Sequence, residues 1–190
     1  MQNEKGNLVR LLDVDSDFII EMRYATDRNM IKSAIYDTNE CYTDKNTAQL
    51  LIKARDIFKA DGYRLKIWDA YRPLSVQKKL WALLPNDDYV AEPPIIDENT
   101  EYKPKHFNGL CVDVTLTDMD GNDLPMPTEY DDFTEYSGLK CDKIPAEKRK
   151  NAEYLRKVME SVGFQGYDSE WWHFYDVTSP VTPFSDYKIY

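Results

Sequence analysis

Histidine is scarce in this chain, with two in 190 residues. Cysteine is hardly commoner, with three, at positions 41, 111 and 141. The three stand far apart, form no Cys-x-x-Cys pair and are odd in number, which excludes a disulfide framework and a zinc ribbon. Reduced thiols in a cytoplasmic protein are the reading that fits. No apolar run is long enough to span a bilayer, and the opening MQNEKGNLVRLLDVDSDF holds no signal-peptide core. There are no repeats and no low-complexity tract. Positive charge is also in short supply: 24 Lys and Arg face 34 Asp and Glu, a net charge of -10. Such a surface repels phosphate backbones and anionic lipid, so neither nucleic acid nor a membrane is an expected partner. A small zwitterionic ligand is left open.

What the chain does have is apolar and aromatic mass: 42% hydrophobic residues, with fourteen Tyr, seven Phe and four Trp. That composition excludes disorder, and the length suits one domain over residues 1–190. In TAQLLIKARDIFKADG, Leu50, Leu51, Ala54, Ile57 and Phe58 fall on one face of a helix, with Thr43 or Thr47 as its cap and Gly62 as its end. YRLKIWDA reads as a strand carrying Leu65 and Ile67. PLSVQKKLWALL opens on Pro73 and sets Val76, Leu80 and Leu83 at helical spacing. Residues 85–105, rich in Pro, Asp, Asn and Glu, read as a long surface connection.

LCVDVTLTD alternates, so Val112, Val114 and Leu116 are expected to face a core and Cys111, Asp113, Thr115 and Thr117 the other side of a half-buried strand. DGND at 120–123 signals a turn, and 121–145 a loop with aromatics. PAEKRKNAEYLRKVMESVGF is the clearest helix, with Leu155, Val158, Met159 and Val162 as its stripe and Gly163 as its end. GFQGYDSEWWHFYDV returns as strand. The mixture predicts an α+β domain with a small antiparallel sheet flanked by helices.

Both histidines stand near acids. His106 precedes Asp113 by seven residues, with Gly109 between them; Glu170 precedes His173 by three. A catalytic zinc takes about three protein ligands and leaves a place for water, and His106, Asp113 and His173 can supply one such set. Along one continuous strand, His106 and Asp113 would face opposite ways. A turn at Gly109 leaves the histidine on a loop and the aspartate on the strand, so that both reach one ion. Glu170 and His173 would share a face on a helix but not on a flat strand, and the two tryptophans between them favour strand. That geometry needs a bend or bulge near Ser169 and Glu170. A carboxylate beside the ion could then take a proton from water. Arg72, in WDAYRP at a strand end, suits a developing oxyanion. Taken singly, each has a plainer role: a packed histidine, a strand-edge acid, a surface ion pair, a core tryptophan.

Together the segments resemble the D-alanyl-D-alanine dipeptidases. HFNGLCVD is similar to the core of that family's S-x-H-x-x-G-x-A-x-D pattern, WDAYRP to its arginine segment and SVGFQGYDSEWWHF to its E-x-x-H segment. MRYATDRNM and PMPTEYDDF also fit, in family order. The resemblance implies a zinc peptidase of the D-Ala-D-Ala carboxypeptidase and dipeptidase type of α+β fold, acting on D-Ala-D-Ala or a similar short dipeptide. It implies one Zn2+ on His106, Asp113 and His173, Glu170 as general base and then acid, and Arg72 as oxyanion stabiliser. It also implies Tyr24 and Asp131 in the substrate cavity, with Asp131 meeting the ammonium. The chain departs from the pattern at Pro104, where the family has serine, at Lys105, and at Cys111, where it has alanine. Those departures bear on selectivity and leave Cys111 as a competing ligand or a packed residue. They keep open a related peptidoglycan stem-peptide carboxypeptidase or endopeptidase; the rival of another class is a non-catalytic binding protein on the same fold.

Overall fold

Each amphipathic stretch folds as its period requires. A computed structural model describes residues 5–87 and 89–189. In chain order the strands are β1 (Leu8–Arg10), β2 (Ile19–Ile20), β3 (Tyr42–Asp44), β4 (Tyr63–Asp69), β5 (Cys111–Asp118), β6 (Phe164–Tyr167) and β7 (Glu170–Asp176). The helices are α1 (Leu11–Val14), α2 (Lys45–Ala60), α3 (Leu74–Leu83) and α4 (Ala146–Ser161). Among the described residues, no helix is long and apolar enough to cross a membrane.

Helix α2 buries Leu50, Leu51, Ala54 and Phe58, while Ile57 lies at the stripe's edge and is exposed. Its cap is neither Thr43 nor Thr47. Asp44 accepts from the Asn46 amide at 2.8 Å, a carboxylate on the orphan amides of the first turn. The two threonines are spent elsewhere: Thr43 Oγ1 donates to the Gly109 carbonyl and Thr47 Oγ1 to Asp176. In α4, Leu155, Val158 and Met159 are buried as expected. In α3 the stripe is thinner; Leu80 is buried but Leu83 is 55% exposed, in the last turn before the chain leaves the body.

Five strands form one sheet in the order β2-β4-β5-β7-β6. It is antiparallel except at its edge, where β2 runs parallel to β4. Strands β1 and β3 make a separate antiparallel ribbon. Strand β5 sits in the middle and is buried on both faces, not one. Its apolar side joins the core with α2 and α4. Its polar side is covered by the loop of residues 121–145, from which Tyr130 reaches back to Asp113. The expected turn follows β5, with Asp118 accepting from the amides of Asp120 and Asn122 and Gly121 at φ 91°.

Two irregularities aim side chains into the site. Between β4 and β5 the register shifts after Ile67↔Val114, so that Trp68 is bulged and Asp69 comes opposite Asp113. Between β6 and β7 it shifts between Gly166↔Phe174 and Tyr167↔Glu170. The irregularity required at the start of β7 is therefore present, and Glu170 and His173 open onto one cavity.

Candidate metal centre and cleft

The two histidines come from different elements. His106 begins a single 3-10 turn, His106–Asn108, that Gly109 closes at φ 73°. A Cβ on Gly109 would stand 2.7 Å from the Asp44 nitrogen and 2.8 Å from Leu8 Cδ2, so glycine is required twice over. The Gly109 carbonyl accepts from the Asp44 amide and the Thr43 hydroxyl, which ties the turn to the β1–β3 ribbon. His173 lies on β7, directly across from Asp113 on β5.

These side chains converge. His106 Nδ1 donates to the Ala70 carbonyl at 2.6 Å, which leaves Nε2 with its lone pair toward the cleft. From Nε2 it is 3.3 Å to His173 Nδ1 and 3.6 Å to Asp113 Oδ1. His173 Nδ1 stands 2.8 Å from Asp113 Oδ1. One ligand atom from each of the three lies within 4.8 Å of the others. Asp113 Oδ2 accepts from the Tyr130 hydroxyl at 2.8 Å, which fixes the carboxylate plane. Burial pushes the Asp113 carboxyl up, but the two imidazoles overcome it and hold the group far below the usual range. Two imidazoles and a carboxylate, with His106 and Asp113 buried and oriented by outer partners, are the donor set a divalent zinc ion takes. Cys111 opens onto the same cavity but is not one of the converging ligands, and burial drives its thiol well up.

Glu170 lines the cavity beside the triad. Burial raises its carboxyl to about 7; Asp113 and Asp131 add to the rise, and His173 and Arg72 oppose it. Asp131 is raised to about 7 as well, again chiefly by burial. It sits at φ 59°, accepts from the Met30 amide at 3.1 Å and lies 3.4 Å from the Tyr24 hydroxyl. The 121–145 loop thus delivers a carboxyl that the sequence places far from the other site residues.

Arg72 is no surface ion pair. It is buried, with Nε and Nη2 on Asp69 Oδ2 at 3.0 and 2.5 Å and Nη1 on Gln77 Oε1 at 2.7 Å. Its guanidinium lies 4.9 Å from the centre of the Tyr24 ring. Asp69 also accepts from the Tyr36 hydroxyl and the Ala70 amide. Asp69, Gln77 and Tyr130 are the functional residues that sequence reasoning missed. An acid closing an apolar strand, three residues before an arginine, was the available signal for Asp69. Trp171 and Trp172 are both buried: Trp171 donates to Thr128, and Trp172 packs on Tyr130 and Phe133 in the cavity wall. The cavity measures about 800 Å³. The connection at 85–105, whose Asp88 lies outside the described residues, helps to wall it through Tyr89 and Val90, and its Ala91 carbonyl accepts from Gln77. Exposed in part, that segment is thus also part of the site's edge.

The peptidase M15 family model, described as D-Ala-D-Ala dipeptidase, matches residues 4–188. A D-alanyl-D-alanine dipeptidase of Escherichia coli (strain K12) is 34% identical over 172 residues, covering 90% of this chain and 86% of that protein. One of Enterococcus faecium is 30% identical over 168 residues, covering 81% of this chain and 83% of that protein. A solved vancomycin-resistance D,D-pentapeptidase, VanY in complex with Zn(II), aligns with a TM-score of 0.44 at 17% identity over 75% of this chain and 76% of that one.

Proposed function

This chain belongs to the M15 peptidases, the D-Ala-D-Ala dipeptidase family, and on that premise we propose that it hydrolyses D-alanyl-D-alanine or a similarly short D-amino-acid dipeptide. One zinc ion would be held by His106, Asp113 and His173. The observation that carries the reading is the convergence of those three ligand atoms within 4.8 Å, with Glu170 on the same cavity.

Zinc, when bound, supplies Lewis acidity, polarising a carbonyl and lowering the pKa of bound water to about 7. The rest falls to the chain. Glu170, with a carboxyl near neutrality, takes a proton from the attacking water and returns it to the leaving amine as the C–N bond breaks. Arg72 is buried and locked on Asp69, so its remaining N–H donors meet the oxyanion without reorganisation. Asp131, held by Met30 and Tyr24, receives the substrate ammonium. Tyr130 keeps Asp113 in the ligand plane, and the Ala70 carbonyl keeps His106 in the tautomer that offers Nε2.

We place the protein in the cytoplasm, a reading supported by its three free thiols, of which Cys41 and Cys111 are buried. The test is hydrolysis of a panel of L and D dipeptides, with and without chelator. Free D-Ala-D-Ala is expected to turn over, to stop on chelation and to resume with zinc. Glu170→Ala should retain zinc and lose turnover by about 10²-fold or more. An N-blocked dipeptide cut as fast as the free one would refute the dipeptidase reading, because Asp131 would then have nothing to recognise.

A further inference from the structure

A dipeptide differs from every longer chain in carrying both its charges within one short span. This inference rests on the dipeptidase reading above, in which Asp131 takes the ammonium. The α-carboxylate needs a cation, and the positive side chains around the cavity can be taken in turn. Arg72 is paired with Asp69 and Gln77. Lys140 Nζ lies 2.6 Å from Asp168. His106 and His173 are turned to Asp113. Among the described residues that line the cavity, Lys105 alone is a cation with no carboxylate partner. It is half-buried.

Its place is also fixed. The Lys105 amide donates to Asn108 Oδ1 at 3.0 Å, and its carbonyl accepts from the amides of Asn108 and Leu110. Asn108 in turn is pinned to the carbonyls of Lys103 and Thr182. Pro104 restricts the backbone just before it. The base of this side chain is therefore as rigid as the His106 turn it adjoins.

We propose that Lys105 is a specificity-determining residue whose ammonium binds the α-carboxylate of the substrate, so that the enzyme selects a free C-terminus. A pre-placed ammonium–carboxylate contact at a partly exposed site is worth about ten- to a hundredfold in affinity.

The experiment compares D-Ala-D-Ala with its C-terminal amide, which has the same shape without the anion. Turnover by the zinc-loaded wild type reads the dipeptidase activity itself. Equilibrium binding of both ligands to zinc-loaded Glu170→Gln, by calorimetry, reads the carboxylate contact whether or not turnover occurs. Glu170→Gln should bind the acid about ten- to a hundredfold more tightly than the amide. Adding Lys105→Met should abolish that preference and leave amide binding unchanged, which also shows that the site is intact. Adding Lys105→Arg should keep most of the preference. An acid preference that survives Lys105→Met overturns the inference, as does its absence in Glu170→Gln. Loss of D-Ala-D-Ala turnover in the wild type would instead overturn the activity.

Discussion

Asp69→Asn is the sharpest test of how the site is built. The side chain is fully buried and accepts four hydrogen bonds: two from Arg72, one from the Tyr36 hydroxyl and one from the Ala70 amide. Asparagine keeps the shape, but it turns one acceptor into a donor and removes the charge that balances a buried guanidinium. Breaking a buried ion pair from one side costs about 3–5 kcal/mol, a large share of the roughly 5–15 kcal/mol that holds a domain folded. With a urea m-value of about 2 kcal/mol/M, the midpoint should fall by about 2 M at unchanged m. Turnover should drop as well, since Arg72 loses its fixed aim and the Ala70 carbonyl that sets the His106 tautomer loses its neighbouring anchor. The double variant Asp69→Asn/Arg72→Gln should lose less than the sum of the singles, by about 1–3 kcal/mol. A midpoint within 0.5 M of wild type, on the order of 1 kcal/mol, or strict additivity in the cycle, would show that the pair does not do what its geometry implies.

Other outcomes follow from particular contacts. Gly109→Ala, at φ 73° and against the Asp44 nitrogen, should cost about 2 kcal/mol or more and weaken zinc binding by displacing His106; thermal melting and chelator competition read both. Tyr130→Phe removes the donor to Asp113 Oδ2 and should weaken zinc affinity about 10–100-fold, with the fold intact by circular dichroism. Asp131→Asn tests the raised carboxyl: native at about 7 against about 3.9 unfolded, Asp131 contributes stability that is present below pH 4 and lost as pH rises through 7. Asparagine does not titrate and tolerates the left-handed backbone, so the metal-free variant should gain on wild type by about 1–4 kcal/mol between pH 4 and 8 in urea titrations.

The sequence shows the metal ligands because their chemistry is rare: with two histidines in the chain, each beside an acid, few constellations are possible. Gly109 made the odd spacing of His106 and Asp113 readable, and the turn is there. The partners that hold those residues leave no such mark. Tyr130, Gln77 and Asp69 act through side chains that meet only once the loop and sheet are folded, and no periodicity links Tyr130 to Asp113. Strands β1, β2 and β3 span three residues or fewer, too short to show alternation. The cap of α2 was misplaced because Thr43, Asp44 and Thr47 all qualify by type, and only Asp176 and Gly109 decide which of them is free to cap. The alternation of β5 marked its apolar face but could not reveal that a distant loop covers the other.

The bulge at Trp68 sets Asp69 directly opposite Asp113, two buried acids as neighbours across adjoining strands. Like charges in that relation repel. Each is tolerable because it has its own counterweight: Arg72 for the one, and for the other the ion that Asp113 would hold with His106 and His173. Demetallation removes charge from only one side of that balance. A chain stripped of its ion should therefore loosen from the inside outward, with amide exchange quickening first along the middle of the sheet while the rim still holds.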